Sequence, residues 1–247
     1  MSVAVELVGH RGCQPKAAPI VIDLDATSRR DLNARLHALA PDSQEIHWRV
    51  ENPKGQHSLA AGLDAPITVE IAGHAGYYCG GMNKQATIVV EGNVGVGVGE
   101  NMISGVVHVK GDASQSAGAT AHGGLLVIDG DASARCGISM KGVDIVVKGS
   151  IGPMSAFMAQ SGSLVVLGDT GDALGDSIYE ARLYVRGSVK SLGADCAEKP
   201  MRDEHREELR RLLSAAGLEG GVNVDQFKRY GSSRTLYNFH VDNAAAY

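Results

Sequence analysis

Residues 88–118 read IVVEGNVGVGVGENMISGVVHVKGDASQSAG, and one short phrase occurs in them twice. An aliphatic stands four and two residues before Gly92 (Ile88, Val90) and again before Gly111 (Val107, Val109), and a small polar residue follows each glycine. Carried outward in both directions, the 19-residue spacing runs without a slip through Gly73, Gly92, Gly111, Gly130, Gly149, Gly168 and Gly187. Two before each glycine stand Ile71, Val90, Val109, Ile128, Val147, Val166 and Val185; four before stand Val69, Ile88, Val107, Leu126, Ile145, Leu164 and Leu183. The residue after it is His74, Asn93, Asp112, Asp131, Ser150, Asp169 or Ser188. Seven after it comes Gly80, Gly99, Gly118, Gly137, Ala156, Gly175 or Ala194, always tiny. A fixed period of this kind is the mark of a repeat architecture.

The alternation supplies the physics. Aliphatics at minus four and minus two share one face of a strand, and the residues between them face the other way. The glycine breaks the strand, and Asn, Asp or Ser beside it forms a turn through its own backbone bonding. One such unit cannot bury its apolar stripe alone. Stacked coils can, with parallel strands ~4.8 Å apart and aliphatic columns filling the bore. A left-handed hexapeptide helix would need an aliphatic column four after the glycine, which instead reads Tyr77, Val96, Gln115, Ala134, Pro153, Asp172, Ser191. A leucine-rich repeat would need an Asn column and a helix-length return, and neither is present. The expected fold is therefore mainly β: a right-handed parallel β-helix of seven 19-residue coils over 67–199.

The flanks are read as caps. Over 1–66 the pattern predicts a strand at Ile20–Leu24, a helix capped by Thr27 or Ser28 and stopped by Pro41, and a second strand ending at Val50 that carries Trp48. Asn52-Pro53-Lys54-Gly55 reads as a turn. Over 200–247 a charged helix from Asp203 to about Ala216 points Leu209, Leu212 and Leu213 inward and is expected to cap the far end. A tail follows Gly220-Gly221, in which Phe227, Arg229, Tyr230, Arg234, Tyr237, Phe239 and Tyr247 concentrate aromatic and basic character. That composition suits partner docking, with packing along the chain's own solenoid as the alternative. As a docking element the tail would contribute little to the fold.

Composition narrows the function classes. The net charge is −5 with interspersed signs, against a nucleic-acid footprint. No run of 18 apolar residues suggests a membrane span, and the first residues carry no basic and apolar leader pattern. Cys13, Cys79, Cys136 and Cys196 form no CxxC pair, as expected in a reducing cytoplasm. The glycine-rich run 92–99 lacks the Lys-Ser/Thr ending of a phosphate loop and lies in register with the other coils. His74, His108 and His122 share no column. Asp112 and Asp131 do stack, but as members of a turn column. Cys79 and Cys136 read as bore-filling thiols, and Met82, Met102, Met140 and Met158 as soft packing. No catalytic, cofactor-binding or metal-binding residue is assigned.

Gly95-Val96-Gly97-Val98-Gly99, set among coils of VxGxxG type, resembles the GXGXG β-helix domain that closes the large subunit of glutamate synthase. It is also similar to the β-helix subunit of formylmethanofuran dehydrogenase. Three further segments resemble the stand-alone GXGXG subunits of split glutamate-synthase-like systems, above all that of N-methylglutamate synthase (methylamine–glutamate N-methyltransferase). They are Gly73–Cys79, Gly137–Gly142 and Lys228–Asn243. The resemblance implies a multisubunit enzyme in methylamine and glutamate metabolism. Its partners would be a class II glutamine amidotransferase-like subunit and an FMN-binding glutamate synthase-like subunit, the latter with an iron–sulfur cluster. A class II amidotransferase needs cysteine directly after the initiator Met, where this sequence has Ser2, and the alternating βα units of an FMN barrel are missing. The chain is expected to be an architectural subunit, with no cofactor of its own.

Overall fold

Residues 18–43 and 46–234 are described in the computed structural model of the chain. The repeat becomes a stack of parallel strands: β3 (Thr68–Ile71), β4 (Thr87–Val90), β5 (Val106–Val109), β6 (Leu125–Ile128), β7 (Lys141–Val147), β8 (Ser161–Val166) and β9 (Arg182–Val185). Each pairs with the next so that equivalent columns face each other, as in Ile88↔Val107 and Val90↔Val109. All the minus-four and minus-two aliphatics lie in the bore at 1% exposure or less. A second, shorter ladder of bridges, Ala75↔Val94↔Ala113↔Ala132↔Ile151↔Thr170↔Val189, runs up the return side. Cys79 and Cys136 are fully buried in the bore, as their column implies. The methionines divide: Met102 and Met140 fill the bore, but Met82 and Met158 stand one position earlier in the coil and are exposed.

The glycine column is required by close approach between turns. A Cβ at Gly130 would lie 2.1 Å from Asp112 Oδ1 and 2.9–3.0 Å from the Gly111 backbone. At Gly111 and Gly149 the collision is with Asn93 Oδ1 and Asp131 Oδ1, at 2.1 and 2.2 Å. The tiny column meets a different demand, since Gly118 combines φ +66° with a bore methyl of Ile145 2.6 Å from any added Cβ. Left-handed residues also occur two places either side of it, as at Ser116 and Thr120, which bends the return arm into a tight arc.

Two additional strands extend the sheet at its N-terminal end. β1 (Ile20–Asp23) pairs in parallel with β2 (His47–Glu51), which pairs with β3 through Trp48↔Val69 and Val50↔Ile71. Residues 47–66 therefore form a further coil, and the sheet does not break at residue 67. Its return arm repeats the left-handed positions at Ser58, Ala60 and Gly62 and bonds to the next coil through Ser58 N–H···O=C Tyr77 and Gly62 N–H···O=C Gly81. Between β1 and β2 comes α1 (Arg29–His37), begun by Ser28, whose Oγ accepts from the Asp31 N–H at 3.1 Å. Leu32 and Leu36 share its buried face. Asn33 and His37 bond the Ser58–Ala61 backbone, so α1 lies over this first return arm.

The C-terminal end differs from the expectation in two respects. The helix forms where predicted, as α2 (Asp203–Ala215), with Gly217 in the left-handed region just beyond it. It does not cap the end of the stack. Leu209, Leu212 and Leu213 pack on the outward face of the sheet, in one apolar cluster with Val127, Val146, Val165 and Tyr184. What closes the end is a hairpin of β10 (Cys196–Lys199) and β11 (Lys228–Ser232). β11 runs antiparallel between β9 and β10, with Tyr230↔Leu183 and Arg229↔Tyr184 in register. An open β9 edge would be a template for uncontrolled pairing, and β11 occupies it. Phe227 and Tyr230, expected to dock on a partner, are instead 4% and 6% exposed within the chain's own clusters. Tyr237, Phe239 and Tyr247 lie outside the described residues.

Two outcomes are expected. Gly130→Ala should cost roughly 1–3 kcal/mol by overpacking, whereas Gly221→Ala, with nothing within 4 Å, should stay within about 0.5 kcal/mol of the parent. Urea unfolding of both variants checks this. Deleting Asp225–Tyr247 removes β11 and two buried aromatics worth about 1.5–3 kcal/mol each. Melting should fall by roughly 2–4 °C for every kcal/mol lost, and an unchanged melting temperature would contradict the assignment of β11 to the fold.

Candidate interaction surfaces

The turn column after the glycines is a continuous hydrogen-bond ladder. Asn93 Oδ1 accepts from the Asp112 N–H at 2.9 Å, Asp112 Oδ1 from Asp131 N–H at 2.9 Å, and Asp131 Oδ1 from Ser150 N–H at 2.7 Å. Ser150 Oγ and Asp169 Oδ1 continue it to Ser188, and His74 Nδ1 begins it by accepting from Asn93 N–H. Each side chain thus supplies the acceptor that the next coil's turn would otherwise lack. The stacked carboxylates Asp112 and Asp131 are engaged as backbone caps. Among the described residues no group of three or more His, Cys, Asp or Glu could hold a metal ion.

The thiols are equally committed. Burial raises the pKa values of Cys79 and Cys136 to about 12, and burial, opposed by Lys199, raises that of Cys196 to about 11. At neutral pH none of the three is a thiolate, which is the nucleophilic form. Cys13 lies outside the described residues.

Two surface regions stand out from this background. The first lies on the return-arm edge of the early coils, where Tyr77, Met82, Val96 and Ile103 are 47–50% exposed. Tyr77 and Val96 occupy the same column of adjacent coils, and the Tyr77 ring lies 4.2 Å from that of His57. Their apolar character is visible in the sequence, in the column four after the glycine, the same column whose later polar members exclude the hexapeptide helix.

The second is at the C-terminal end, where β9, β10, β11 and the start of α2 surround a cavity of about 440 Å³. Arg182, Lys199, Arg202, Arg229 and Arg234 line it, with Glu180 as the one lining carboxylate. Arg229 and Arg234, assigned to docking from the sequence, are thus brought together here, while Phe227 and Tyr230 are turned into the fold. Nearby acids fasten part of this region. Glu208 on α2 accepts from Arg182 at 2.5 Å and from the Tyr184 hydroxyl, and Arg234 pairs with Asp195. Arg211 pairs with Asp144 at 3.2 Å, and burial raises the Asp144 pKa against that attraction. The sequence did carry a sign of this docking of α2. The column three before the glycine changes from Glu70, Val89 and His108 to Val127, Val146, Val165 and Tyr184, an outward face that needs cover.

Among the described residues no helix is long and apolar enough to cross a membrane. No protein-family model matches the chain. It is 60% identical over 227 residues to Protein GlxC of Rhizobium meliloti (strain 1021), an alignment spanning 92% of this chain and 99% of that protein. Identity of that level over nearly the whole of both sequences places the chain in the GlxC family.

Proposed function

We propose that this chain is a non-catalytic assembly subunit of a cytoplasmic glutamate synthase-like complex, specifically an N-methylglutamate synthase (methylamine–glutamate N-methyltransferase). The observation that carries the architectural half of this reading is the use already made of the reactive groups. The Cys79 and Cys136 thiols are buried and protonated, and the stacked carboxylates cap backbone amides of the next coil. What remains is a rigid solenoid presenting surfaces. The reaction itself is supplied by the GXGXG resemblance, and membership of the GlxC family is compatible with it. In this reading the amidotransferase-like subunit releases ammonia or accepts the amine donor. The FMN-binding subunit, with its iron–sulfur cluster, carries out the redox chemistry. The exposed Tyr77–Val96 edge is one docking surface, since a contiguous apolar patch on a subunit marks an interface. Tyr237, Phe239 and Tyr247 supply a second.

Co-expression of the full chain with the amidotransferase-like and FMN-binding subunits tests the proposal. The three should co-purify, and the isolated chain should bind no FMN and show no glutaminase activity. Val96→Glu places a charge on the exposed edge without touching the bore. It should leave the melting temperature within about 2 °C of the parent and reduce recovery of the partners. Stoichiometric flavin absorbance on the isolated chain, or complete indifference of the complex to loss of this subunit, would overturn the reading.

A further inference from the structure

The cavity at the C-terminal end contains an arrangement that the fold alone does not account for. Lys199 on β10 and Arg229 on β11 are directly paired across the antiparallel ladder, so two cations stand opposite each other on one face. Like charges in that position destabilise a sheet. Arg229 is also paired on its other side with Tyr184 of β9, two residues from Arg182 on the same face of that strand. Three cations thus converge across three adjacent strands. Arg202 adds a fourth at the N-cap of α2, where the helix dipole already presents its positive end.

The neighbouring acids neutralise part of this group, pairing with Arg182 and Arg202 but not with Arg229 or Lys199. Glu208 is taken by Arg182 and Tyr184, Asp195 by Arg234, and Glu204 reaches Arg202 only at 3.6 Å. Arg229 donates to the Pro200 carbonyl at 3.1 Å, and among the described residues neither it nor Lys199 has an ion-pair partner. Burial, helped by the charges of Arg182 and Arg202, holds the Arg229 guanidinium below its usual range, with Tyr184 and Glu204 opposing. The pKa of His205, in the first turn of α2, is lowered by burial and then by Arg229. A local rule broken in this way at Lys199 and Arg229, without a compensating acid among the described residues, is what a binding site looks like before its ligand arrives.

We infer that this cavity is a binding site for a small oxyanion of two or more negative charges, a phosphate group or a dicarboxylate, held by Arg229 and Lys199 with Arg182 and Arg202 around it. The volume of about 440 Å³ falls in the range of small-molecule sites. The planar fork of Arg229 suits bidentate oxyanions, and the Lys199 ammonium acts as a point charge beside it. The inference does not rest on the proposed complex, because every residue it uses belongs to this chain.

Calorimetric titration of the full chain with inorganic phosphate and, separately, with succinate, at ionic strength held constant with sodium chloride, is the test. Saturable one-to-one binding of either is expected. Phosphate alone would assign a phosphate ester as the natural ligand, and succinate alone a dicarboxylate. Arg229→Gln and Lys199→Gln should each weaken binding by about tenfold or more, while Lys84→Gln, at the opposite end of the solenoid, should not change it. Lys199→Gln should also melt no lower than the parent without anion, since it relieves a repulsion. The inference is overturned if neither anion binds beyond what chloride does, or if both cavity variants bind as the parent does. It is equally overturned if Lys199→Gln lowers the anion-free melting temperature, which would make the lysine a structural requirement.

Discussion

Successive turns in this solenoid approach so closely that a methyl group at Gly130 would sit 2.1 Å from Asp112 Oδ1. The same contact that excludes a side chain at the glycine delivers a hydrogen bond one residue later, from Asp131 N–H to that carboxylate. Exclusion and capture are therefore one constraint seen twice. It sets the spacing of the coils, and the spacing in turn lines up every aliphatic of the bore with its counterpart above and below. A shift of one residue would turn Glu70 or His108 into the bore in the early coils, and in any coil it would leave a turn amide without its acceptor. Register is fixed at both edges of the strand at once.

Because each coil touches only its neighbours, the ends carry the cost of finiteness. At one end α1 lies over the first return arm and β1 extends the sheet. At the other the chain reverses, and β11 slots in antiparallel beside β9. That reversal explains the chemistry of the C-terminal end. Residues of three strands, two of them not part of the repeat, are brought side by side, and cations far apart in sequence meet on one face. The regular part of the molecule has no comparable freedom, since a residue there is always flanked by its own column.

Much of this is legible in the sequence, and the failures share one cause. The seven-glycine column, the bore and both helices follow from period and alternation, which depend on local geometry. The coil at 47–66 escapes the period because Val50 pairs with Ile71 two residues beyond the repeat spacing, and Asn52, itself left-handed, stands near where the glycine would be. Its return arm keeps the tiny residue as Ala60, a signal that a search tolerant of insertions would find. Phe227 and Tyr230 read as docking residues because composition cannot distinguish an aromatic that fills a partner's pocket from one that fills the chain's own. The basic cavity depends on an antiparallel pairing between segments some thirty residues apart, for which no periodic signal exists. The same holds for the seat of α2, although the apolar outward column beneath it is present to be read.

The central claim is that turn-to-turn contact along the ladder belongs to the cooperative unit that holds the solenoid together. Amide hydrogen exchange of the isolated chain tests it residue by residue. The account predicts that the amides of Asp112, Asp131, Ser150 and Ser188, although on the surface, are protected far above free-peptide rates and are lost in the same opening as the bore-strand amides. Ladder amides that exchange at free-peptide rates while the strands stay protected would contradict it, and would make the turns passive connections between strands held by the bore alone.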